Sequence, residues 1–128
     1  MNTIDHIAVY VKDLEGARKF FESYFSAKSN ELYHNPNTGL STYILSFEGH
    51  TRLELMTRPD MLDNVNSSFR VGYIHISFNL GNKQNVDALT ARLKADGYKI
   101  VSGPRTTGDG YYESCVEGPE GNLLELTV

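Results

Sequence analysis

The sequence predicts an α+β fold built from two tandem modules, each running strand, helix and then three strands. Three observations predict it. Ile4-Asp5-His6-Ile7 near the start is echoed by Tyr73-Ile74-His75-Ile76, and Arg52-Leu53-Glu54-Leu55 is echoed by Leu123-Leu124-Glu125-Leu126. The offsets are 75 − 6 = 69 for the histidines and 125 − 54 = 71 for the glutamates, close enough to read as an internal repeat. Between the halves, Pro59 to Gly72 is polar, rich in Asn, Asp and Ser, and without periodicity, which marks a connector. One domain of residues 1–128 follows, with module one at 1–58, the connector at 59–72 and module two at 73–128.

Each element has a local reason. In module one, the strand around His6 to Val11 is followed by Asp13, a helix N-cap. Leu14, Ala17, Phe20, Phe21, Tyr24 and Phe25 then recur at spacings of three and four and make one helix face apolar. Short alternating runs follow at Tyr43 to Phe47 and Arg52 to Thr57. In module two, Asn85 is the expected cap, Val86, Leu89 and Leu93 the apolar stripe, and Gly97 the left-handed residue that closes the helix. Alternating runs return at Tyr111 to Glu117 and Asn122 to Val128. Gly49 and Gly121 sit in the tight turns before the final strands, where a positive φ is needed. The polar segment from Gly103-Pro104 to Gly110 reads as a loop, either a substrate lid or ordinary surface.

Composition removes several classes of function. Twelve Lys and Arg against 16 Asp and Glu give a net charge of −4, without the basic balance that nucleic-acid binding draws on. No apolar run approaches the roughly 20 residues of a membrane span. The first residues show no basic stretch leading into an apolar one, so a cytoplasmic protein is expected. Cys115 is the only cysteine, which precludes an intrachain disulfide. A chain of 128 residues buries about two-thirds of its unfolded surface, enough for a real core.

Strand alternation fixes which way the repeated residues point. Ile7, Val9 and Val11 lie opposite His6, and Leu53 and Leu55 opposite Glu54. Ile74, Ile76 and Phe78 lie opposite His75, and Leu124, Leu126 and Val128 opposite Glu125. The aliphatic faces can pack beneath helices, which leaves two imidazoles and two carboxylates on the polar faces. An N2O2 set of this kind suits a divalent first-row metal with one or two positions open to water or substrate. A lone histidine or glutamate on a strand is ordinarily a solvated or hydrogen-bonded residue; it is the joint recurrence on matching faces that points to a metal. His34 and His50 are placed in exposed loops, and Cys115, in an alternating strand, is expected to act as a small buried hydrophobe, with a cavity thiol as the alternative.

The motifs around these residues, Ile-Asp-His-Ile-Ala-Val at His6, Leu-Glu-Leu at Glu54, Tyr-Ile-His-Ile-Ser-Phe at His75 and Gly118-Pro119-Glu120-Gly121-Asn122-Leu123-Leu124-Glu125-Leu126, resemble those of the vicinal oxygen chelate superfamily. This is the group of glyoxalases, bleomycin-resistance proteins and extradiol dioxygenases. The resemblance covers essentially the whole chain. It implies two βαβββ modules whose sheets curl around a metal-binding groove with helices on the outer face. It also implies one divalent metal per site (nickel, zinc, cobalt, manganese or iron) held by His6, Glu54, His75 and Glu125. The His, Glu, His, Glu order is similar to bacterial glyoxalase I, a lyase that isomerises the hemithioacetal of methylglyoxal and glutathione. Glu125 or Glu54 would then move the proton. Tyr10 stands where glyoxalase I generally carries an Arg for the glutathione carboxylate, so the resemblance leaves the thiol open.

The expectation is therefore a metal-dependent lyase or isomerase acting on a small oxygen-chelating substrate, with Tyr10, Tyr43, Arg52 and Asn79 as candidate substrate contacts. The expected partners are that small molecule and a second copy of the chain in a homodimer; nucleic acid and membrane are not expected. Three rivals stand beside it: a non-haem iron dioxygenase, a metal-free antibiotic-binding resistance protein of the same fold, and a structural domain in which the four residues are surface decoration.

Overall fold

The computed structural model describes residues 2–63 and 69–128. Part of the expected connector, 64–68, lies outside the described residues. The chain divides into two compact units, Met1–Asn64 and Val65–Val128, each with one helix and its own sheet.

The first unit runs β1 (His6–Tyr10), α1 (Leu14–Phe25), β2 (Lys28–Ser29), β3 (Tyr33–His34), β4 (Ser41–Ser46) and β5 (Arg52–Thr57). Its sheet has the order β1-β5-β4-β2, with β3 also paired to β4; β1 and β5 are parallel and the other pairs antiparallel. Asp13 caps α1 as expected, its Oδ1 accepting from the Gly16 N–H at 2.9 Å. Leu14, Ala17, Phe20 and Phe21 are buried, and α1 packs on β4 and β5 over Leu45, Leu53 and Leu55. Phe20 meets Phe21 edge to face at 5.2 Å, a favoured geometry for aromatic rings.

The second unit runs β6 (His75–Asn79), α2 (Lys83–Ala95), β7 (Ile100–Thr106), β8 (Tyr112–Glu117) and β9 (Leu123–Thr127), in the order β6-β9-β8-β7 with β6 and β9 parallel. Val86 and Leu93 on α2 are buried, as are Val116, Leu124 and Leu126 on the strands beneath. A short 3-10 turn at Pro119–Gly121 leads into β9. Neither helix is long and apolar enough to cross a membrane.

Two expectations need correction here. The cap of α2 is Asn82, three residues before Asn85: the Asn82 side chain accepts from the Asn85 N–H at 2.8 Å, and Asn85 in turn donates to the Leu80 carbonyl at 2.7 Å. Asn82 precedes the helix and Asn85 lies in its first turn, and it is the preceding one, reaching forward, that satisfies the free N–H of that turn. The segment from Gly103-Pro104 to Gly110 is a turn only from Thr107 on, and its first part is strand. That part lies within β7, whose Ser102 pairs with Cys115 and Arg105 with Glu113 across register shifts. Gly and Pro interrupt central strands, but β7 is an edge strand, where a bulge and a missing donor are tolerated. Gly103 is required there: its φ is +77°, and a Cβ would come within 2.4 Å of the Glu113 carbonyl oxygen.

Candidate functional site

In the first unit the parallel pairing of β1 with β5 sets His6 against Arg52 and Ala8 against Glu54. His6 and Glu54 therefore share a face and sit on a diagonal, one pleat apart. Leu53 and Leu55, between and beyond, are buried against α1. The His6 ring is held by its neighbour: Nδ1 lies 2.8 Å from Asp5 Oδ2, and the Arg52 guanidinium reaches the same oxygen at 2.8 Å. These two contacts, the histidine first, hold the Asp5 carboxyl below the usual carboxylate range. Glu54 is flanked by Ala8 and Ile44, neither of which offers its carboxylate a side-chain partner.

The second unit repeats the diagonal in the same register. His75 pairs with Leu123 and Ser77 with Glu125. Here the two side chains meet: His75 Nε2 lies 3.4 Å from Glu125 Oε2, and the Ser77 hydroxyl donates to Glu125 Oε1 at 2.9 Å. On the other side of β9, Cys115 is the cross-strand partner of Glu125. Glu113, next along the same face of β8, has its carboxyl pushed up by burial and by a hydrogen bond with Glu125. Burial, then the Glu125 and Glu113 charges, raise the Cys115 thiol as well. The Thr127 hydroxyl, flanked on this face by Asn79 and Glu113, is buried and has no hydrogen-bond partner among the described residues.

Of the four residues expected to contact substrate, three lie on the polar faces. Tyr10 is exposed on the His6 side and hydrogen-bonds Arg58, Arg52 is committed to Asp5, and Asn79 shares the His75 face, where its Oδ1 accepts from the Gly81 N–H at 2.8 Å. Tyr43 does not. It pairs with Leu55, is 7% exposed and points at α1, where its hydroxyl donates to Glu15 and its ring lies 4.9 Å beneath the Arg18 guanidinium. Cys115 is also misplaced by the sequence: it is half-buried on the polar face, since the buried residues of β8 are Ser114 and Val116. His50 is exposed in a turn, as expected; His34 is exposed but lies in β3, its Nδ1 2.7 Å from the Ser41 hydroxyl.

Sequence reasoning misses Asp5 and Glu113. Asp5 adjoins a candidate ligand, and Glu113 alternates with Cys115 and Glu117, so the same period-2 count that placed Glu125 reaches it. Each unit thus supplies one imidazole nitrogen and one carboxylate, donors that suit borderline first-row metals. Among the described residues, no group of three or more His, Cys, Asp or Glu side chains is gathered to hold an ion.

Comparison with known proteins converges on one group. The model of the Glyoxalase/Bleomycin resistance protein/Dioxygenase superfamily matches residues 3–126. The protein YqjT of Bacillus subtilis, itself uncharacterised, is 29% identical over 126 residues, covering 96% of each chain. A glyoxalase family protein from Bacillus cereus superposes with a TM-score of 0.85 at 20% identity, over 99% of this chain and 93% of that one. The trypanothione-dependent glyoxalase I of Leishmania major gives 0.76 at 20% identity, over 98% and 86%. The fosfomycin resistance protein FosX of Listeria monocytogenes, solved with Mn(II), gives 0.73 at 19% identity, over 100% and 93%. These structures share the fold.

Proposed function

The chain belongs to the glyoxalase, bleomycin resistance and dioxygenase superfamily, and from that premise we propose a metal-dependent lyase or isomerase of the glyoxalase type, acting on a small substrate with two neighbouring oxygens. One observation carries the reading: the His–Glu diagonal occurs in both units at the same strand register and on the polar face, His6 with Glu54 and His75 with Glu125. His6, Glu54, His75 and Glu125 would hold one divalent ion. When bound, it supplies Lewis-acid polarisation of a substrate oxygen, which acidifies the adjacent C–H.

The remaining chemistry falls to the chain. Glu125, set among His75, Ser77 and Glu113, and Glu54, flanked by Ala8 and Ile44, are the carboxylates that take a proton from one carbon and return it to its neighbour. Ser77 keeps one Glu125 oxygen occupied and so aims the other. Tyr10, Arg52 and Asn79 border the same faces and would contact the substrate. The companion proposal is a cytoplasmic homodimer; each unit exposes apolar side chains beside its histidine strand, Ile4 in the first and Tyr73 and Ile74 in the second, and exposed apolar surface is a feature of protein contacts.

The test is turnover of aldehyde–thiol hemithioacetals by metal-loaded protein, followed by thioester absorbance. Glu54→Gln and Glu125→Gln should each lower the rate by about 100-fold or more with an unchanged circular dichroism spectrum. Full activity in both variants would contradict the assignment. Oxygen uptake with a catechol would instead establish a dioxygenase, and tight antibiotic binding by metal-free protein a resistance function.

A further inference from the structure

We propose that Asp5 and Arg52 form a relay that locks the His6 ring in the Nδ1–H tautomer and so presents Nε2 as the metal-binding nitrogen, a device the second unit lacks. The inference rests on the metal-site reading and deepens it.

The geometry begins with one oxygen. Asp5 Oδ2 lies 2.8 Å from His6 Nδ1 and 2.8 Å from an Arg52 terminal nitrogen. An aspartate at neutral pH is ionised and accepts hydrogen bonds only. The guanidinium donates only, so the contact with His6 requires the ring to donate from Nδ1. In a neutral imidazole the proton at Nδ1 leaves the lone pair on Nε2. Carboxylates in this position fix ring orientation and raise ligand basicity in metal sites, and their removal weakens metal binding by about tenfold to a hundredfold.

The backbone holds the relay in place. The Arg52 N–H donates to the Asp5 carbonyl at 3.0 Å and the Thr51 hydroxyl to the Ile4 carbonyl at 3.1 Å, so the residue before β1 is tied to the start of β5. Arg52 is also the register partner of His6, which places its side chain on the histidine face. The repeat supplies an internal control. At the positions equivalent to Asp5 and Arg52 the second unit has Ile74 and Leu123, and Leu123 is the register partner of His75. Neither side chain can accept or donate a hydrogen bond. Asp5 and Arg52 are thus positioning residues, acting through His6.

The experiment reads the ring directly. In 15N-labelled, metal-free wild-type protein above the histidine titration, long-range 15N–1H spectra should show His6 as the Nδ1–H tautomer and His75 without that bias. Asp5→Ala should release His6 to the Nε2–H form that free imidazole side chains favour, and Arg52→Gln should shift it part of the way. Asp5 is 71% exposed at its side chain, so Asp5→Ala is expected to fold; Ile74→Asp, which should draw His75 toward the Nδ1–H form, gives a second variant. Zinc competition against a chromogenic chelator should then show Asp5→Ala binding about tenfold to a hundredfold more weakly than wild type. A wild-type His6 with the same tautomer populations as Asp5→Ala, or equal zinc affinity in the two, would overturn the relay while leaving the metal site standing. If wild type binds no zinc, the metal reading fails, and the tautomer spectra alone decide the relay.

Discussion

The two units put the same pair of side chains on the same diagonal and then restrain opposite members of it. In the first, the histidine is fixed, its Nδ1 held at 2.8 Å by Asp5, while Glu54 stands between Ala8 and Ile44. In the second, the carboxylate is fixed, with Ser77 on one oxygen at 2.9 Å and His75 3.4 Å from the other, and Glu113 alongside. A repeated scaffold diversifies here through the neighbours of its shared residues. Strand register preserves where the donors sit, and the residues one step away decide which donor is rigid and which is free to move.

The same lesson holds on the helix side of the sheets. Tyr43 and Ser114 occupy equivalent positions, opposite Leu55 and Leu126, and each ties its strand to its own helix. Tyr43 does so through a carboxylate at the solvent edge, Glu15, whereas Ser114 uses a buried hydroxyl, Thr90 Oγ1, at 2.7 Å.

The strongest perturbation of this equivalence is in the core. Leu55 and Leu126 are 1% and 0% exposed, so Leu55→Ala and Leu126→Ala should each cost about 3 kcal/mol in urea unfolding; a cost near zero for one would break the structural equivalence. Ser114→Ala comes next, at about 1 kcal/mol for one lost hydrogen bond. No titratable group takes part in it, so this cost should not vary across the acid range.

Glu15→Gln gives the contrasting case. The Tyr43 hydroxyl first, and then Arg18, hold the Glu15 carboxyl below its ordinary value of 4.5. A depressed folded pKa means a contribution present above the unfolded value and lost as pH falls through the folded one. The difference in melting temperature between wild type and Glu15→Gln should therefore be constant above about pH 5 and shrink as the pH falls below it. A difference that grows on acidification would show that the tie is not ionic.

Much of this was legible in the chain itself. The duplication shows in two short motifs, and alternation alone puts Leu53, Leu55, Leu124 and Leu126 inward and the two glutamates outward, as found. What escaped depends on register, which a single strand does not encode. Tyr43 turns to the helix because it pairs with Leu55, and Cys115 faces the polar side because it pairs with Glu125. The strand β7 hid behind Gly103-Pro104, residues whose strand-breaking character an edge position suppresses. Asp5 hid because a contact between sequence neighbours has no period to reveal it.

The central claim is that His6, Glu54, His75 and Glu125 act together on one ion. Its most direct test is elemental analysis of protein purified without chelator or metal-binding tag and reconstituted with nickel or zinc, for wild type, His6→Ala and His75→Ala. Near one equivalent of divalent metal per chain is expected in wild type, with loss in both variants, one from each unit. Metal retained in either variant, or none bound by wild type, would contradict that claim.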